Sequence, residues 1–245
     1  MDLTVLLDPM AVCLLLLLAL VFPWGGVRDF RRLIRWDAEN RPDARLRHYN
    51  SIAVWEWISA AVFLAWWFWS GRPQEPLRLV HRPMGWEWLA VAAGLVLSAL
   101  LVLQMSKATR NPQSLSNLGG NLGNLKPMIP RNSKEQSAFN MLSVTAGICE
   151  EILYRGVLLA VLAAAIGTWP AVVVSSAVFG LGHLYQGLPG VLRTGAVGLV
   201  FALLTVFSGS LLTAVILHIT MDVTSGRIMA EAIKAEESAG AAAGA

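Results

Sequence analysis

Apolar residues in this chain come in long blocks, separated by short polar stretches rich in arginine, glycine and proline. Crossing a bilayer as a helix takes about 20 mostly apolar residues. Blocks of that kind occupy residues 9–26, 51–70, 86–105, 138–166, 170–185, 191–208 and 210–224. Backbone groups in lipid must bond within their own segment or a closed barrel. The pattern therefore predicts an all-α, polytopic integral membrane helical bundle of about seven transmembrane helices. The fifth and seventh blocks are short, and residues 115–129 could dip into the membrane, so the range is six to eight. One integral membrane domain is expected over residues 1–236, with a chemistry-bearing core at about 135–225 and a disordered tail at 237–245. Residues 111–124, rich in Asn, Gly and Ser, read as a flexible connector, with a gate or substrate-docking loop as the alternative.

Composition supports the same class. Of 245 residues, 56% are hydrophobic and only 14% charged, against about 25% charged in soluble domains; the mean hydropathy is +0.57. The net charge of +3 comes from loop arginines, and no nucleic-acid-binding motif accompanies it, so no nucleic-acid partner is expected. Cys13 and Cys149 stand far apart in apolar blocks, which indicates neither a disulfide framework nor a thiolate metal site. The first block follows Asp2 and Asp8 and has no A-x-A-like cleavage site, so it reads as a span rather than a signal peptide. Arginines and lysines concentrate after the first and third spans and recur after the last. Positive-inside reasoning then places the N-terminus outside and the C-terminus in the cytoplasm. The short chain and its Ala- and Trp-rich spans point to a bacterial inner membrane.

The exceptions to apolarity carry the chemistry. Between Met141 and Asp222 the only charged residues are Glu150, Glu151, Arg155, Arg193 and Asp222. Ionisable groups at bilayer depth cost at least a few kcal/mol each, and persist where they pair or function. Residues four apart share a helix face, so Glu151 stacks on Arg155 and Glu150 aligns with Tyr154. Adjacent glutamates point about 100° apart, which suits them to different jobs. Glu151 has a cation to hold it, whereas Glu150 is free to hold a water and take its proton. Phe179 and His183 share a face of the next block, as do His218 and Asp222 in the last. Taken singly, these fit a structural ion pair and helix-contact histidines. Their joint occurrence in successive apolar blocks points to a functional site. The other two histidines, His48 and His81, fall in loops, and Arg193 reads as an interfacial residue.

The set Glu150-Glu151-x-x-x-Arg155, Phe179-x-x-x-His183 and His218-x-x-x-Asp222 closely resembles the CPBP (Abi) family of intramembrane proteases, which includes the CAAX prenyl endopeptidases of the Rce1 type. Met128-Ile129-Pro130-Arg131 and Ala146-Gly147-Ile148-Cys149 resemble the family's approach to its first motif. The resemblance covers roughly the last hundred residues before the tail. In that family the last motif commonly ends in asparagine, and here Asp222 stands in its place. An asparagine amide can donate to an oxyanion and an ionised aspartate cannot, so Asp222 is either protonated or serves to orient His218.

The resemblance implies an intramembrane endopeptidase acting on a membrane-anchored protein or peptide. Glu150, helped by His183, would activate a water. His218, oriented by Asp222, would stabilise the oxyanion or protonate the leaving amine. Glu151, Arg155, Tyr154 and Phe179 would support the site. No cofactor is expected, with Zn²⁺ on Glu150, His183 and His218 as the alternative. The family also suggests a non-catalytic scaffold or bacteriocin-immunity protein. A proton-relay transporter is a third class, disfavoured because no internal repeat is visible.

Overall fold

The computed structural model describes residue 5 and residues 7–79 and 83–243; His81 lies outside the described residues. No strand occurs among the described residues. Helix α1 spans Pro9–Ala38 and α2 spans Ala44–Trp69, followed by α3 at Glu87–Ala108 and α4 at Pro112–Asn121. Helix α5, Ser133–Glu150, runs on through a wider winding at Glu151–Leu158 into α6, Leu159–Ile166. Helices α7 (Thr168–Gly182), α8 (Gly187–Ser208) and α9 (Leu211–Ala243) complete the bundle. It is an all-α polytopic membrane bundle.

Among the described residues, five helical stretches are long and apolar enough to cross a membrane: α1, α2, α3, α8 with the short turn before it, and α9. The other two expected spans take a different form. Residues 138–166 lie within the continuous α5–α6 helix, whose apolar run is interrupted by the charges of the site, and α7 has only 15 residues. Helix ends follow local chemistry. The Asp8 side chain accepts a bond from Met10 N ahead of Pro9, and Asn132 accepts one from Glu135 N at the start of α5.

Several of the most deeply buried apolar residues belong to the wide winding. Leu153, Val157 and Leu158 are fully covered, surrounded by Leu14 and Leu18 of α1, Phe63 and Trp67 of α2, Phe179 of α7 and Ala202 of α8. Helices approach closely where small residues permit it, as is general between membrane helices. A Cβ on Gly147 would lie 2.4 Å from Ile219 of α9, and one on Gly180 would lie 2.6 Å from the Val191 carbonyl oxygen of α8.

One end of the bundle is tied together by polar contacts. Asp37 pairs with Arg45 at 2.5 Å and Arg131 at 3.5 Å, and Lys134 pairs with Asp43 at 3.2 Å. Tyr49 donates to the Met128 carbonyl at 2.6 Å. Residues 111–124, which composition marks as a flexible connector, instead form the whole of helix α4 and the start of the turn after it, set against α9. A Cβ on Gly119 would meet the Ala232 carbonyl oxygen at 2.5 Å, and Lys126 pairs with Glu236 at 2.7 Å. That contact with α9 supplies the order that local composition does not. Helix α9 itself continues to Ala243, through most of the segment expected to be a tail.

Gly180→Ala is expected to destabilise the protein by about 1–3 kcal/mol, because its contact is with α8 backbone that cannot rotate away. Gly25→Ala, where an added Cβ meets nothing within 4 Å, should leave stability unchanged. Thermal unfolding of both variants in detergent checks the pair.

Candidate active site

The wide winding at Glu151–Leu158 sits where the first motif does. Such windings disturb the regular helical ladder and are frequent at functional sites. This one turns Glu151 and Arg155 wholly inward, with side chains 0% and 1% exposed. Arg155 Nη1 donates to Glu151 Oε1 at 2.9 Å, while Nη2 donates to the Gly198 carbonyl of α8 at 3.1 Å. The guanidinium lies 4.0 Å from the Phe179 ring centre and 5.3 Å from that of Phe201, an arrangement that stabilises a desolvated cation.

Glu151 Oε1 also receives His218. The imidazole Nδ1 lies 2.8 Å from it, and because a carboxylate only accepts, Nδ1 carries the hydrogen. The ring is stacked on Phe201, with centroids 4.9 Å apart, and meets Phe179 edge-on at 6.0 Å. Nε2 then faces Glu150 Oε2 and Asp222 Oδ2, each at 3.7 Å. That distance exceeds a direct hydrogen bond, which leaves Nε2 available. Besides the expected contact with Asp222, His218 has a shorter bond that the sequence did not indicate: Glu151 reaches the opposite nitrogen. Asp222 is held on the Nε2 side of His218 by their shared helix face.

Polarity is graded across the site. Glu151 is sealed, Glu150 retains 16% side-chain exposure and Asp222 32%. His183 closes α7, with Nδ1 3.1 Å from the Phe179 carbonyl and its ring 5.1 Å from the Phe179 ring. It interacts electrostatically with Asp222 and His218 and makes no hydrogen bond to Glu150. Tyr154 is buried edge-on against Phe179 at 5.1 Å rather than standing beside Glu150 as a paired group. The structure thus brings Glu150, Glu151, Arg155, His218 and Asp222 into one cluster, with His183 and Tyr154 joined to it through Phe179.

Two participants escaped the sequence reading. Gly198 supplies the carbonyl that holds Arg155, and a Cβ there would lie 2.8 Å from Phe179 and 3.1 Å from Arg155 Nη2. Nothing in the local sequence marks this glycine. Glu56 of α2 is 6% exposed and interacts electrostatically with Glu150 and Asp222. Its signal was legible, as the one charged residue in the apolar run 52–69.

Residues 136–224 match the family model of the type II CAAX prenyl endopeptidases, Rce1-like. This segment is similar to the Rce1-like family. It encloses every residue of the three motifs and leaves Glu56 outside. The family is one of proteases, and the Rce1-like segment lies within a helical membrane bundle. Comparison with curated proteins and with solved structures gave no match. As to a metal, no group of three His, Cys, Asp or Glu side chains among the described residues is arranged to hold an ion.

Removing Glu151 would strand Arg155 as a buried, unpaired charge. Glu151→Ala is expected to cost about 3–5 kcal/mol of stability, read as a lower thermal midpoint in detergent. Glu150→Gln, at a partly open position whose contact with His218 Nε2 is at 3.7 Å and outside the sealed Glu151–Arg155 pair, should leave the midpoint near wild type.

Proposed function

We propose that the protein is a membrane-embedded endopeptidase in which Glu150 and His218 activate water against a peptide bond of a membrane-anchored protein or peptide. The observation that carries this reading is the held imidazole. With Nδ1 bound to Glu151, His218 presents Nε2 toward Glu150 in a site that still opens outward at Glu150 and Asp222. A base beside an oriented imidazole is the arrangement that water-mediated acyl hydrolysis requires.

In this mechanism Glu150 accepts a proton from water as the oxygen bonds to the scissile carbonyl carbon. The carbonyl electron pair moves onto oxygen, and His218, when Nε2 is protonated, donates to the resulting oxyanion. Glu150 then returns its proton to the amide nitrogen as the C–N bond breaks, yielding a carboxyl and an amine. His183, with Nδ1 committed to the Phe179 carbonyl, offers its other nitrogen to the water or the substrate. Glu151 and Arg155 keep His218 at its angle and distance. No step is routed through a metal.

We also assign the end of the bundle that gathers Arg45, Arg131, Lys134 and Lys126 to the cytoplasm, in a bacterial inner membrane, following the positive-inside rule. Asp8, at the start of α1, pairs with Arg72 beyond α2 and so marks the opposite, external end. A green-fluorescent reporter fused at the C-terminus should fluoresce, and alkaline phosphatase fused there should be inactive. The reverse pattern would invert the assignment.

The activity is tested by comparing protein termini, by mass spectrometry, in membranes of cells expressing wild type or Glu150→Gln. Termini that depend on Glu150 are expected, with cleavage reduced at least about 10²-fold in the variant, the typical contribution of a general base. Identical termini with both proteins folded would instead support the scaffold alternative. Cleavage should also survive exhaustive chelation; loss of activity restored by Zn²⁺ would overturn the metal-free mechanism.

A further inference from the structure

Glu56 has no evident structural employment. It lies on the inward stripe of α2, with Ser59, Ala60, Phe63 and Trp67, all buried. Trp57, next to it, donates to Thr145 of α5 at 3.3 Å and holds α2 against the motif helix. The Glu56 Oε2 atom is fully buried and has no hydrogen-bond partner. The groups with which Glu56 interacts electrostatically are Glu150, Asp222, Cys149, Tyr154 and Tyr185. None of these is a cation, and among the described residues Glu56 is not half of a buried ion pair. A buried, ionisable side chain in a membrane helix that pairs with nothing calls for a functional account.

Glu56, Glu150 and Asp222 together place three carboxyls within electrostatic reach of one another. Like charges that close in a dry interior cannot all be carried, and such groups share protons. Their surroundings decide where a proton rests. Glu150 and Asp222 each have His218 Nε2 at 3.7 Å, while among the described residues no imidazole or guanidinium pairs with Glu56.

We propose that Glu56 is a further residue of the catalytic chamber, a neutral carboxylic acid whose O–H group positions the attacking water beside Glu150. This rests on the hydrolase reading above. The acid donates one hydrogen bond to the water, or its carbonyl oxygen accepts one from it. It exchanges no proton in the net reaction and so is a positioning residue. It also gives the chamber a neutral donor on the face away from His218. Asp222, standing where related proteases commonly have asparagine, cannot serve as one while ionised.

The full-length protein in lipid vesicles supplies the test, with Glu56→Gln, Glu56→Met and Glu150→Gln compared with wild type. The infrared spectrum of wild type should contain the carbonyl stretch of a protonated carboxyl that is missing from Glu56→Gln and retained in Glu150→Gln. In membranes, the rate at which Glu150-dependent termini appear should be largely preserved in Glu56→Gln. It should fall roughly tenfold to a hundredfold in Glu56→Met, the scale of loss for a misplaced reactant, with thermal midpoints unchanged. An unaltered carboxyl band in Glu56→Gln overturns the proposal. So does full activity in folded Glu56→Met, or inactivity of folded Glu56→Gln equal to that of Glu56→Met. If even wild type yields no Glu150-dependent termini, the protease reading fails, and the infrared band alone decides whether Glu56 is a neutral acid.

Discussion

A single carboxylate oxygen organises this protein. Glu151 Oε1 accepts from Arg155 and from His218 at once, at 2.9 and 2.8 Å, in a location sealed from solvent. Two donors on one oxygen join the motif helix to α9, and the other arm of Arg155 joins it to α8 through the Gly198 carbonyl. A desolvated pair of this kind contributes little net stability by itself, yet breaking it is costly because the remaining partner stays buried and charged. The arrangement therefore acts as a geometric constraint on three helices. The aromatic rings of Phe179 and Phe201 complete it, shielding the guanidinium and bracketing the imidazole.

The rest of the bundle serves to make that constraint possible in a membrane. The wide winding of Glu151–Leu158 sets Glu151 and Arg155 inward, and its apolar residues form the best-covered part of the core. Close approach at Gly147 brings α9 against α5, which carries His218 toward Glu151. Close approach at Gly180 sets α7 against α8, and with it Phe179 near Gly198. Away from the site, ion pairs and backbone contacts gather the basic loops at one end, where a polar headgroup region can receive them.

Within the chamber, burial separates the carboxyls by role. Glu151 is wholly enclosed and structural in its contacts, Glu150 is partly open beside a free imidazole nitrogen, and Asp222 is the most open of the three. Glu56 enters from α2, outside the Rce1-like segment, so the chamber is not assembled from the family segment alone. Proton sharing among such groups depends on all of them together, which is why the acidic residues here are best regarded as one set.

Much of this was legible along the chain. Long apolar blocks determine a helical membrane protein, because a backbone in lipid has few other ways to satisfy its hydrogen bonds. The pairing of Glu151 with Arg155 follows from helical periodicity, and the three motifs identify the residues that come together. These are local properties, set by residues within a turn or two of one another. What tertiary structure alone decided is which groups meet across helices. It assigned His218 Nδ1 to Glu151, placed Gly198 under Arg155, brought Glu56 to Glu150, and ordered residues 111–124 against α9. Contacts between helices depend on where their axes cross and how a widened turn rotates a side chain. Neither quantity is written in the spacing of residues along one segment.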